Sequence, residues 1–169
     1  DRLRVLRNQG MRERYVYEVA GHNYRMTDLQ AAVVLPQLDR YEQTVSKRRE
    51  NAAILTEGLS TVIGLVTPPT FEERGHVWHQ YTIRVTGDAA VTRDEAVIKI
   101  QESGVGAGIY YPKLIGDYTA YSENPRVIIS ETPVAARVAS QVISIPVHQG
   151  LSSDDLKRVI DVVSSVVGG

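Results

Sequence analysis

The chain has 169 residues, 43% hydrophobic side chains and a formal net charge of -1. This near-neutral charge argues against a polybasic surface for nucleic acid or membrane, and no apolar run approaches the roughly 20 residues of a membrane span. The sequence contains no cysteine, which excludes disulfide bridges and thiolate metal sites and fits a reducing cytoplasm.

The first part of the chain is predicted to be mostly helical. Residues 2–7 have the pattern of a helix end closed by Gly10, and residues 15–20 form an extended or irregular piece. Thr27 and Gln30 make a capping-box pair that starts a long helix, which continues to about residue 57.

One apolar stripe runs along this long helix at steps of three and four residues. Its members are Leu38, Tyr41, Val45, Ala52, Leu55 and Leu59. Pro36 is expected to kink the helix near its second turn, and Gly58 to end it. About thirty residues at 1.5 Å each span roughly 45 Å. That length is typical of a helix that bridges domains or borders a dimer.

The rest of the chain alternates strands with helices. Strands are predicted at residues 77–85, 105–111 and 142–145, and a loop over 113–126. Helices are predicted at residues 92–103, from Thr132 and after Ser152, where cap residues precede apolar periodicity. The pattern indicates a small α/β domain in which helices cover a small sheet. We expect this domain to occupy residues 61–169 and an interdomain or dimer-bridging segment to occupy residues 1–60.

Polar side chains lie directly before the long helix. Asn23 and Arg25 are side-chain donors beside a helix N-terminus, whose unpaired N–H groups and dipole favour an anion such as phosphate. An ordinary capped helix after a polar loop has the same local pattern.

The run Gly-His-Asn-Tyr-Arg-Met-Thr-Asp-Leu-Gln-Ala-Ala at residues 21–32 resembles a family signature. The pattern, Gly-x-Asn-x-Arg-Met-x-(Asp/Glu)-x-Gln-Ala-Ala, belongs to the DegT-type (DegT/StrS) nucleotide-sugar aminotransferases. Further segments resemble that family in the same order along nearly the whole chain. They are residues 4–10, 37–49, 79–81, 104–112 and 144–152.

This resemblance implies a homodimeric enzyme of the aspartate-aminotransferase fold that holds pyridoxal 5'-phosphate as a Schiff base to a lysine. In the family that lysine precedes the segment similar to residues 4–10. The lysines here are in other contexts: Lys47, Lys99, Lys113 and Lys157. We therefore expect the C-terminal part of the enzyme, with its small domain, without the large cofactor-binding domain and without a catalytic residue.

The resemblance also implies roles for individual residues. Asn23 and Arg25 would reach the cofactor phosphate or the substrate in the neighbouring subunit's active site. Tyr24 would stack on a ligand or donate to it, or pack against protein. Independently of the resemblance, Tyr110 and Tyr111 precede Pro112 at the end of a predicted strand, and we expect them to line a substrate cleft.

This sequence departs from the family pattern after Tyr111-Pro112. Gly116 and Tyr118 stand where the family often has a substrate-binding histidine and a glutamine. Tyr118, Asp117 and Lys113 are therefore candidates to replace those substrate contacts.

The four histidines, namely His22, His76, His79 and His148, do not have the spacing of metal ligands. His79 shares a predicted strand face with Tyr81 and is interpreted as a hydrogen-bonded core residue. His148 is interpreted as part of a turn.

Three functions remain open from the sequence. The first is transfer of an amino group, with glutamate as the expected donor, to a nucleotide-linked keto sugar. The second is a pyridoxal-phosphate-dependent sugar dehydratase of the same family, in which the lysine is replaced. The third is a non-catalytic dimerisation module. The residue that separates the first two lies outside this sequence.

Overall fold

The computed structural model describes all 169 residues, which form two compact units, Asp1–Glu42 and Gln43–Gly169. The sequence placed the boundary near residue 60. It falls earlier because Ala52, Leu55 and Leu59 belong to the buried apolar core of the second unit.

The first unit contains two helices and a hairpin. Helix α1 (Arg2–Arg7) is followed by strands β1 (Met11–Glu13) and β2 (Val16–Tyr17), which pair antiparallel, and by helix α2 (Asp28–Leu38). Gly10 closes α1 as predicted, because its φ of 81° is accessible to glycine and its N–H donates to the Val5 carbonyl at 2.9 Å.

The prediction of one long helix is wrong. Helix α2 ends at Leu38, and helix α3 (Tyr41–Leu59) begins after a turn at Asp39 and Arg40. In an unbroken helix the Arg40 N–H would donate to the Pro36 carbonyl. Here the Arg40 Nε donates to that carbonyl at 3.2 Å, while the Arg40 N–H donates to Gln37 at 3.2 Å. The backbone N–H of Arg40 therefore bonds to the carbonyl three residues back instead of four, and helix α2 ends there.

The second unit is built around an antiparallel sheet. Strands β3 (Leu65–Val66), β4 (Tyr81–Val85) and β5 (Val142–Ile145) lie in that order, with Ile83 opposite Ile143. The strand predicted at residues 77–85 is shortened at its start, because Trp78 has a φ of 50°. The strand predicted at residues 105–111 is wrong: only Gly108 forms a bridge there, to Ser144. Gly106 and Gly108 provide no side chains to pack, which weakens a strand.

Four more helices complete the second unit; the first and last of them pack on each other and in the core beside the sheet, whereas the two short ones bury no residue. They are α4 (Arg93–Glu102), α5 (Thr119–Ser122), α6 (Pro133–Ala139) and α7 (Ser153–Gly168), with a 3-10 turn at Ile115–Asp117. The short α5 and the 3-10 turn occupy the region predicted as a loop. The α7 side chains Leu156, Val159 and Val163 are buried in the core together with residues of α3, α4 and the sheet.

Capping boxes start three helices at the cap residues that the sequence indicated. Thr27, Thr92 and Ser152 each accept a hydrogen bond from the backbone three residues on. The hydrogen bonds of the caps lower the pKa of the Glu95 and Asp155 carboxyl groups, because they favour the charged forms.

Glycine at position 58 lets helices α3 and α7 approach closely. A Cβ atom on Gly58 would lie 2.6 Å from the Cδ1 atom of Ile160. The helix continues past Gly58 to Leu59, two residues beyond the predicted end at about residue 57.

The architecture is the small α/β domain expected from the sequence. No helix combines the length and apolar character needed to cross a bilayer.

Candidate functional site

The loop before α2 is held in place by α1. The His22 N–H donates to the Leu6 carbonyl at 2.8 Å, and the Tyr24 N–H donates to the Arg7 carbonyl at 2.9 Å. Asn23 also forms an isolated antiparallel bridge with Asn8. The backbone on both sides of Asn23 is therefore fixed, although its side chain is exposed.

Asn23 and Arg25, the two phosphate-binding candidates from the sequence, lie side by side. The Arg25 Nε donates to Asn23 Oδ1 at 2.9 Å, and the Arg25 Nη1 approaches Asn8 Oδ1 at 3.5 Å. Arginine has five N–H donors. The Arg25 Nη2 and the Asn23 amide nitrogen donate to no protein atom. Asn23 and Asn8 therefore orient the Arg25 guanidinium, and its Nη2 group keeps N–H donors without a protein acceptor.

A cavity of about 340 Å³ borders this guanidinium within the first unit. Arg4, Arg7 and Arg12 line it together with Arg25 and Asn8. Arg12 is neutralised by Asp1 at 3.2 Å and Glu18 at 2.7 Å. Its hydrogen bond to Glu18 and the negative charge there raise its pKa.

Arg4, Arg7 and Arg25 pair with no carboxylate, so the cavity favours an anion. Arg4 and Arg7 were not among the site residues predicted from the sequence. Their spacing of three residues on α1, which places both on one face, is the signal that identifies them.

The arrangement fits the phosphate of a cofactor and does not fit its covalent attachment. A guanidinium with free N–H groups, an amide and a helix N-terminus all favour a phosphate. Lys47, by contrast, is paired with Glu50 at 2.9 Å on the surface of α3. Lys99, Lys113 and Lys157 are exposed.

Tyr24, predicted to contact a ligand or to pack against protein, is 72% exposed and stacks on His22 with 4.8 Å between ring centroids.

The remaining predicted substrate residues do not form one cluster. Tyr110 lines a groove of the second unit, whereas Tyr111, Lys113 and Tyr118 do not line it. Tyr111 is 72% exposed and contacts the Tyr110 ring edge-on, with 5.9 Å between centroids. The Tyr118 carbonyl accepts the Tyr121 N–H at 2.8 Å at the start of α5.

The structure overturns the interpretation of one histidine and agrees with that of another. His79 is exposed, so the prediction of a core histidine is wrong. The chain turns at Trp78, whose side chain is buried, and β4 begins only at Tyr81. His148 does take part in a turn, because its Nδ1 accepts the Gly150 N–H at 3.2 Å, and both histidines line the groove that contains Tyr110. No group of three or more histidine or acidic side chains could hold a metal ion.

The family comparison covers almost the whole chain. A model of the DegT/DnrJ/EryC1/StrS aminotransferase family matches residues 1–164. A pleiotropic regulatory protein of Geobacillus stearothermophilus is 30% identical over 97% of this chain and 43% of its own length. A dTDP-3-amino-3,4,6-trideoxy-alpha-D-glucose transaminase of Streptomyces venezuelae is 33% identical over 96% of this chain and 41% of its own length.

A solved structure agrees with the fold. DesV of S. venezuelae, solved in complex with a ketimine intermediate, superposes with a TM-score of 0.83 and 30% identity. The match covers 97% of this chain and 43% of that chain. The chain thus spans less than half the length of the relatives it matches.

Proposed function

Because the chain belongs to the DegT/DnrJ/EryC1/StrS aminotransferase family, we propose that it is the C-terminal part of a sugar aminotransferase that depends on pyridoxal phosphate. The whole protein transfers an amino group, with glutamate as donor, to a keto sugar linked to a nucleotide. The observation that carries this proposal is the Asn23–Arg25 pair, held at the start of α2 with its donors free. The sugar transaminase similar to this chain supports the substrate class.

In this proposal the residues of this chain bind and orient a phosphate group, and none of them forms a covalent bond to the cofactor. Bound pyridoxal phosphate supplies the electron sink for amino-group transfer. Arg25 and Asn23 hold a phosphate group in the active site of the neighbouring subunit of a homodimer, because their free N–H groups supply charge-assisted hydrogen bonds. Arg4 and Arg7 add positive charge beside them. The first unit, Asp1–Glu42, provides the dimer-bridging part, and the α/β domain follows it.

Substitutions in the whole protein test the phosphate site. Arg25→Ala and Asn23→Ala should each weaken cofactor or substrate binding about tenfold to a hundredfold, because a hydrogen bond to a charged group is lost. Both side chains are exposed, so the melting temperature should change little.

Thr27→Ala is the matched control for this test. It removes the cap of the same helix and should cost about 1 kcal/mol of stability, with a smaller and indirect effect on affinity. If Arg25→Ala and Asn23→Ala lower the melting temperature as Thr27→Ala does but leave both affinities unchanged, the loop is only a helix start.

The 169-residue chain by itself should be inactive, because none of its lysines lies in a site that could attach the cofactor. Mixing the purified chain with pyridoxal phosphate should give no stoichiometric absorbance band that disappears when the donor, L-glutamate, is added. Such a band would contradict the assignment of the cofactor lysine to a segment outside this sequence.

A further inference from the structure

A second groove, of about 400 Å³, lies entirely within the second unit. Its size is within the range of small-molecule sites. Arg48 of α3, His79 before β4, Tyr110, and the segment from Ser144 to His148 line it. The proposed phosphate site uses none of these residues.

Arg48 brings a positive charge to the groove without a counter-ion. Its Nη1 donates to the Trp78 carbonyl at 2.9 Å and approaches the His79 carbonyl at 3.3 Å. Its Nε donates to Gln149 Oε1 at 3.2 Å. No carboxylate pairs with this half-buried guanidinium, and its Nη2 donates to no protein atom. A charge removed in part from water and left unpaired favours a ligand of opposite charge.

The two histidines add hydrogen-bond donors at the same groove. Because His148 Nδ1 accepts the Gly150 N–H, the proton of the neutral ring is on Nε2, which is free to donate. His79 is exposed at the groove as well. No acidic residue lines the groove. Asp155, whose charge interacts with His148, accepts hydrogen bonds from Ser152 instead.

The remaining wall suits a carbon chain. Gly106 and Gly108 expose bare backbone, and Pro146 and Ile145 add apolar surface. The Tyr110 ring lies over Gly108, where an added Cβ would be 2.9 Å from the Tyr110 hydroxyl. A free phosphate would leave this apolar surface unused.

We propose that this groove binds the carboxylate of a small organic acid, with Arg48 as the anchor and His79 and His148 as donors. The proposal does not depend on the aminotransferase assignment, because binding is measured in the 169-residue chain without cofactor.

The test uses glutarate as the probe, with uncharged glutaramide and inorganic phosphate as comparisons. Trp78 is the only tryptophan of the chain, and its carbonyl contacts Arg48. Its fluorescence should therefore report binding, together with NMR of the histidine rings. We expect saturable glutarate binding, with shifts at His79 and His148 and none at His22. Glutaramide and phosphate should bind at least about tenfold more weakly.

Arg49→Lys is a matched control for Arg48→Lys. Arg49 is the next residue on α3 and donates to the His76 carbonyl at 3.1 Å, but it does not line the groove. Arg48→Lys should weaken glutarate binding at least tenfold, because lysine cannot keep the carbonyl contacts and still present a planar pair of N–H groups. Arg49→Lys should leave the affinity unchanged.

A second variant covers the case in which Arg48→Lys does not fold. The double variant His79→Gln/His148→Gln changes only exposed side chains and should also weaken glutarate binding, whereas His22→Gln should not. Absence of saturable binding, equal binding of phosphate, or an affinity that none of the groove variants changes would overturn the proposal. Failure of amino transfer in the whole protein would leave this result standing.

Discussion

Asn51 shows how a single buried polar residue holds a loop of the second unit. Its side chain is fully buried in α3, and its Nδ2 donates to the His148 carbonyl at 2.9 Å. Its Oδ1 has no hydrogen-bond partner. Asn51→Ala should lower the free energy of unfolding by about 1–3 kcal/mol, because the His148 carbonyl loses its donor. Urea denaturation measures the difference.

Ser46→Ala is the control for this prediction. Ser46 lies on the exposed side of the same helix and makes no side-chain hydrogen bond. Equal stability of the two variants would show that the buried amide contributes nothing.

Some residue features could be predicted from the sequence, and others depend on the folded backbone. The position of Asn23 and Arg25 beside the start of α2 could be predicted, because both precede a recognisable cap within a few residues, whereas the hydrogen bond between them could not. The exposure of His79 could not, because strict alternation assigned it to the face of Tyr81. Only the left-handed backbone at Trp78 removes it from the strand. Arg48 was missed because its carbonyl partners, Trp78 and His79, are about thirty residues distant along the chain.

Among the elements, the start of α7 makes stability depend on pH. The Ser152 hydroxyl and N–H donate to Asp155 Oδ2 at 2.7 and 2.9 Å, and these bonds hold the pKa of Asp155 below its ordinary value. A carboxyl whose pKa is lower in the folded state stabilises the protein above its unfolded pKa. That contribution is lost as the pH falls through the folded pKa. Asp155→Asn should therefore destabilise the protein at pH 7, and its effect should shrink as the pH falls through the lowered pKa of folded Asp155, below which both states are protonated.

Asp154→Asn tests whether the helix dipole alone explains such an effect. Asp154 lies in the same first turn but makes no side-chain hydrogen bond. Thermal unfolding at several pH values should give a steeper acid loss in the wild type than in Asp155→Asn, and a similar loss in Asp154→Asn. Parallel curves for all three proteins would contradict the prediction.

Elements with local signals were predicted well, and elements that depend on distant pairing were not. The caps at Thr27, Thr92 and Ser152 are local, so their helices begin where expected. The turn between α2 and α3 arises from the alternative hydrogen bonds of Arg40, which a helical pattern does not reveal. Strand β3, of two residues, exists only through its pairing with β4.

For the whole molecule, helix α2 has no buried residue. Its exposed apolar side chains include Leu29 at 76%, Leu35 at 60% and Leu38 at 59%. Contiguous exposed apolar surface usually marks an interface. We expect the chain to self-associate through α2, and Leu35→Glu to shift sedimentation equilibrium toward the monomer because it places a charge in the contact.

Gln37→Glu separates this effect from added charge in general. Gln37 lies on α2 and is exposed, so its substitution introduces the same charge on the same helix. A monomeric wild type at high concentration, or equal dissociation by both variants, would argue against α2 as the interface.

The close approach of α3 and α7 makes the residues allowed at positions 58 and 160 depend on each other. Because a Cβ at position 58 would overlap Ile160, alanine at 58 requires a changed rotamer or a smaller side chain at 160, or a shift of a helix. The order of these replacements matters, since the smaller residue at 160 leaves only a cavity while the larger one at 58 produces a clash. We therefore expect substitutions at positions 58 and 160, about a hundred residues apart in the chain, to affect stability in a coupled way.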